Sequence, residues 1–156
     1  MKRCGPAKPG MTTMDAAPTL PIAREACIGF AINATLSLAF FLGIFGMVVR
    51  PLAWGAPDAL GLDFVPQSIA VALMSALVPS LIARNRLGLA VSIRTIVLRA
   101  AGFAVGCAVL GGLLAWTTAA SALPPVGWWQ ALAIKLLYGG LLGAVITAMV
   151  LKRMTR

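Results

Sequence analysis

The sequence predicts an all-α integral membrane protein that crosses the bilayer four times, as two antiparallel hairpins with both termini cytoplasmic. Three observations predict this. First, 60% of the 156 residues are hydrophobic and only 11% are charged, against about 25% charged in a soluble domain. Second, the apolar residues come in four long blocks, each near the ~20 residues that span a hydrocarbon core. Third, Lys and Arg sit between and outside those blocks in a strongly asymmetric pattern.

Residues 1–20 carry Gly5, Pro6, Pro9, Gly10 and Pro18 with Lys2, Arg3 and Lys8. They lack apolar periodicity and are expected to be disordered. The tail does not read as a signal peptide, and Met11 and Met14 offer alternative starts. Residues 21–156 read as a single four-helix domain with spans at about 22–49, 64–83, 95–118 and 128–151.

The first span exceeds the required length, so tilt or an extended end is expected. Arg50-Pro51 closes it, and Trp54 anchors the connection at the interface. Asp63 is placed to cap the second span, with Pro66 in its first turn. Pro79 has no N–H, so the carbonyl of Ser75 loses its usual helical donor. Leu87, Leu89, Val91 and Ile93 suit an interfacial amphipathic turn before the third span. Pro124-Pro125 and Gly127 break the chain again, and Trp128-Trp129 form an aromatic belt before the fourth span.

Lys2, Arg3, Lys8 and Arg24 precede the first span. Arg84, Arg86, Arg94 and Arg99 lie between the second and third, and Lys152, Arg153 and Arg156 follow the fourth. Only Arg50 and Lys135, of 13 basic residues, fall on the other side. The positive-inside rule then puts both termini in the cytoplasm. The net charge of +9 follows from this topology and gives no reason to invoke nucleic acid. Gly29-Phe30-Ala31-Ile32 weakly echoes Gly102-Phe103-Ala104-Val105, as two parallel hairpins would.

Lys135 is the lone mid-helix charge, about 10 Å deeper than Trp128 at 1.5 Å per residue. Ala131, Lys135, Gly139, Gly143 and Thr147 recur every four residues on one face, and small residues mark close helix packing. Lys135 then points into the bundle or an oligomer contact. The competing reading, more ordinary for a lone lysine, is snorkelling to the near interface. An inward Lys135 requires an acid on the same side, and Asp63 is the expected partner. Asn33 lies near mid-membrane on a stripe with Gly29 and Ser37, where polar glue between helices is favoured over a ligand site. Gly102 and Gly106 give a packing motif in the third span. Gln67 is expected at headgroup level or in a shallow vestibule.

The absence of histidine removes the commonest general base and haem ligand. Cys4, Cys27 and Cys107 have no metal-ligand spacing. The four carboxylates, Asp15, Glu25, Asp58 and Asp63, form no catalytic pair, and only a Ser68–Lys135 dyad is conceivable for an enzyme. No metal and no cofactor are expected. The reading that survives is a noncatalytic scaffold, assembly or modulatory component, with a small oligomeric transporter as the alternative. Its expected partners are the lipid bilayer, a second copy or another membrane protein, and anionic headgroups facing Arg84, Arg86, Arg94 and Arg99. The Ala-, Gly- and Arg-rich composition suggests a bacterial inner membrane.

Overall fold

The computed structural model describes residues 22–88, 90–121 and 123–154, without the side chains of residues 87 and 154. The basic tail 1–20 and Arg156, with the disorder expected of the tail, lie outside the described residues. Four helices follow in order: α1 (Ile22–Phe45), α2 (Phe64–Leu87), α3 (Ile93–Ala120) and α4 (Trp128–Met154). Each is long and apolar enough to span a membrane. The described residues hold no strand, only an isolated bridge between Leu52 and Val126. This is what a bilayer demands, because a helix satisfies its backbone polar groups within one segment.

The first span is shorter than the apolar block. Gly46 takes a left-handed φ of 68° and its N–H donates to the Leu42 carbonyl at 3.0 Å, closing α1. Met47, Val48 and Val49 continue as exposed, non-helical chain. The excess length therefore lies beyond the helix. α1, α2 and α4 begin where expected, but the far ends of α2 and α4 and both ends of α3 run further than hydropathy predicts. α2 reaches Leu87, where Gly88 caps it at φ 59°. α3 begins at Ile93, where the Ser92 hydroxyl accepts from the Thr95 N–H at 3.1 Å. Hydropathy cannot see such caps, because they depend on the backbone conformation of one or two residues.

The bridge of Leu52 to Val126 joins the α1–α2 and α3–α4 connections at one end of the bundle. There, the Trp128 indole donates to the Gly46 carbonyl at 3.3 Å. At the opposite end Arg86 lies 3.8 Å from Glu25, and the Arg153 guanidinium sits 5.6 Å from the Phe103 ring centroid. The start of α1, the end of α2, the start of α3 and the end of α4 therefore share one end. The closest packing partners are not the hairpins of chain order. α1 packs chiefly on α4, and α2 on α3 and α4, while α1 and α2 touch far less. Gly29 is buried against Thr147, whereas Gly102 has nothing within 4 Å. The two echoed tetrapeptides thus occupy different environments.

The interior has two apolar parts. Near the shared bridge, Phe41, Phe45, Leu52, Leu60, Trp128 and Ala131 form an aromatic cluster. Of the tryptophan pair, Trp128 is buried in this cluster and Trp129 faces outward at 66% exposure. Toward the other end, Ala72, Ala76, Ala100, Ala104, Cys107, Ile146 and Val150 let α3 and α4 each pack closely on α2.

The α1–α2 connection is tied by Asp58, which accepts from the Ala53 N–H at 2.9 Å and pairs with Arg50 at 2.5 Å. The Arg50 guanidinium, and after it the Ala53 amide, hold the Asp58 carboxyl below its ordinary range. Because the folded-state value is depressed, the tie is complete above the ordinary carboxylate value of about 4. It is lost as pH falls through the depressed value. Ala53 amide exchange, corrected for its intrinsic pH dependence, is expected to accelerate only in that acid range. Asp58→Asn is expected to abolish the acid dependence. Acceleration already near neutrality would contradict the assignment.

Candidate functional site

The polar residues of α1, α2 and α4 converge on one seam. α1 contributes Gly29, Asn33 and Ser37 at four-residue spacing, all buried. α4 contributes Lys135, Gly139, Gly143 and Thr147, and α2 contributes Gln67 and Ser75, with Asp63 just before it. Four-residue spacing keeps such side chains on one face of each helix.

At the bridge end, Lys135 is 1% exposed and its Nζ lies 2.9 Å from Asp63 Oδ2. It also sits 3.7 Å above the Phe64 ring centroid, which adds cation–π attraction. Tyr138 packs edge-on against that ring at 4.9 Å. The lysine points inward and does not snorkel. Asp63 occupies the N-cap position of α2 but makes no side-chain cap bond. Its carboxylate turns to the ammonium instead, because an unpaired charge at that depth costs far more than an uncapped helix turn. Ser68 donates to the Phe64 carbonyl at 2.5 Å and meets the Tyr138 hydroxyl at 2.7 Å. Ser68 and Lys135 thus have separate partners.

One turn deeper, Gln67 is 1% exposed. Its Nε2 donates to Ser37 Oγ at 2.8 Å and to the Lys135 carbonyl at 3.0 Å. Gly139 makes this reach available. A Cβ there would collide with Ser37 Oγ and lie 3.0 Å from Gln67 Nε2. The headgroup position expected for Gln67 is therefore wrong. The signal available in the sequence was its four-residue offset from Asp63, which puts both on one α2 face.

Toward the other end, Asn33 Nδ2 donates to Ser75 Oγ at 2.9 Å and to the Gly29 carbonyl at 2.7 Å. The Ser75 carbonyl, deprived of its donor by Pro79, receives the Thr147 hydroxyl at 3.5 Å. Gly143 admits Asn33, whose Cγ would lie 2.6 Å from a Cβ at that position. Among the described residues, Asn33 Oδ1, Asp63 Oδ1 and Gln67 Oε1 are buried without a hydrogen-bond donor.

Gly102 and Gly106 stand apart from the seam. They lie on the outer face of α3 with nothing within 4 Å, so they do not pack inside the bundle. Arg84, Arg86, Arg94 and Arg99 all lie at the end opposite the bridge, and Arg86 approaches Glu25. Among the described residues, no three His, Cys, Asp or Glu side chains converge as metal ligands. The seam cross-links α1, α2 and α4.

No protein-family model, curated protein or solved structure matches this chain.

Proposed function

We propose that this chain is a noncatalytic membrane component that assembles laterally with another transmembrane helix through the outer face of α3. One observation carries the reading. The seam consumes the glycines that face it on α1 and α4, whereas Gly112, toward the bridge end of α3, has no neighbour within 4 Å. At the bridge end this face opens into a charge-free groove of about 440 Å³ lined by Trp54, Leu62, Val65, Gly112 and Trp116. Trp116 is 70% exposed and Leu62 64%. Lipid tails solvate apolar side chains as well as a protein does, so close backbone approach at glycine is what favours a helix over lipid.

The test is cross-linking in native membranes, using a chain whose cysteines are replaced. Gly112→Cys is expected to give one adduct of fixed mass, and Gly43→Cys on the open face of α1 none. An adduct of twice the chain mass identifies a second copy, and any other fixed mass a different protein. Equal labelling from both positions, or none from either, defeats the proposal.

A small-solute transporter is the second reading. It is supported by a cleft of about 90 Å³ between α1 and α2, lined by Glu25, Asn33, Ser75, Pro79 and Thr147. Under it, Asn33→Ala abolishes uptake in proteoliposomes while the helical content stays unchanged.

The reading places the arginine-rich end and both termini in the cytoplasm, in a bacterial inner membrane. Topology reporters fused near residue 90 and at the C-terminus should agree with each other. A reporter near residue 56 should oppose them. Any other pattern overturns the orientation.

A further inference from the structure

We infer that the arginine-rich end of the α3–α4 groove is a site for one anionic phospholipid, with its phosphate between Arg99 and Arg153 and an acyl chain over Gly102 and Gly106. The groove measures about 470 Å³ and is lined by Arg99, Gly102, Phe103, Gly106, Cys107 and Arg153. Its rim holds one arginine from each helix. Its wall is lowered by two glycines with open space above them. At its base lies Cys107, 8% exposed.

Charge decides what fits. The three carboxylates among the described residues are engaged elsewhere: Asp58 with Arg50, Glu25 near Arg86, and Asp63 with Lys135. None is left for Arg99 or Arg153. Two guanidiniums at a membrane surface, without acidic partners among the described residues, match a phosphodiester, which accepts paired N–H donors in their fixed fork geometry. Arg153 is held over the Phe103 ring, 5.6 Å from its centroid, so its charge is positioned at the groove before any ligand arrives. Basic pockets between transmembrane helices are a recurrent form of anionic headgroup site. The lower half of the groove is apolar, which suits a chain and not a free anion.

The bridge-end groove proposed for helix docking has no charged lining residue, so the two ends of α3 select different occupants. The lipid site does not depend on that docking.

The test uses the full chain in neutral detergent, with phosphatidylglycerol or phosphatidylcholine added and bound lipid counted by native mass spectrometry. One phosphatidylglycerol per chain is expected to persist where phosphatidylcholine does not. Arg99→Gln with Arg153→Gln is expected to weaken retention at least about tenfold, the loss of charged hydrogen bonds. Arg84→Gln with Arg94→Gln, which removes the same charge, should weaken it less than about threefold. Equal losses would show a diffuse surface effect and overturn the site. Gly106→Leu has room to fold and should displace the lipid with both arginines intact. If it leaves lipid bound but changes cross-linking between chains, the occupant is a helix and the inference fails. Inorganic phosphate alone should give no thermal stabilisation. Stabilisation equal to that by phosphatidylglycerol would remove the acyl chain from the proposal.

Discussion

Lys135→Met is expected to destabilise the folded bundle by about 3–5 kcal/mol, because it leaves the Asp63 carboxylate buried and unpaired. The pair is tight, at 2.9 Å, and joins α4 to the start of α2. Both side chains are nearly excluded from solvent, at 1% and 6% exposure. The ammonium also loses its place over Phe64. The size of the effect comes from the orphaned partner and not from the net worth of the bridge. Lys135→Met with Asp63→Leu is therefore expected to recover most of the loss, since two apolar groups of similar volume leave nothing unsatisfied. Reversing the pair, Lys135→Asp with Asp63→Lys, should recover part of it, and each reversal alone should recover none. Unfolding in mixed micelles of rising sodium dodecyl sulfate fraction measures all of these. Wild-type unfolding of the single variants, or a double reversal no better than either half, would show that the two charges do not hold the helices together.

The second large effect is expected at the glycines of α4. Gly143→Leu places its side chain into Asn33, whose Cγ would already be 2.6 Å from the first carbon. The obstacle lies at the base of the Asn33 side chain on α1, so relief requires α1 to move away from α4. A cost of about 3 kcal/mol or more is expected, at the upper end of overpacking. Asn33 would also lose Ser75, a bond of 2.9 Å, worth about 0.6–1.7 kcal/mol inside a membrane. Gly43→Leu and Gly106→Leu, at positions with open space, are expected within about 0.5 kcal/mol of wild type. Asn33→Ala combined with Gly143→Leu should cost less than the sum of the separate changes, because the two sites share one contact. Additive costs, or equal costs at all three glycines, would mean that α1 does not seat on this face.

The seam contains a smaller check of the same logic. Thr147→Val keeps the shape but removes the hydroxyl that reaches the Ser75 carbonyl at 3.5 Å. It should cost less than about 1.7 kcal/mol, and the cost should disappear in a Pro79→Ala background, where α2 supplies its own donor.

How much of this was legible in the sequence differs residue by residue. The four spans were readable from hydropathy, and the choice of Asp63 for Lys135 from depth and side alone. Whether Lys135 turned inward was not readable, since a lysine stem reaches either the interface or the interior from that position. Asp63 read as a helix cap because local chemistry is what a sequence displays, yet a buried carboxylate answers first to the nearest opposite charge, here Lys135. Gln67 read as interfacial because its depth was visible and its neighbours were not. Gly102 and Gly106 read as a packing motif, and their spacing alone did not say whether that face turns inward or outward.

The sequence by itself determined that this chain forms apolar helices, roughly where each begins, and which connections gather the arginines. Those properties are local: a segment in hydrocarbon must bond its own backbone, and charge at its ends costs least in water. Only the tertiary structure decided that α1 seats on α4, that α2 bridges α3 and α4, and which small-residue face stays open. In a bilayer the outer faces are as apolar as the core, so hydropathy carries no contrast between them. The choice falls to close-range fits, a glycine opposite an asparagine or an ammonium opposite a carboxylate, that exist only once the helices stand side by side.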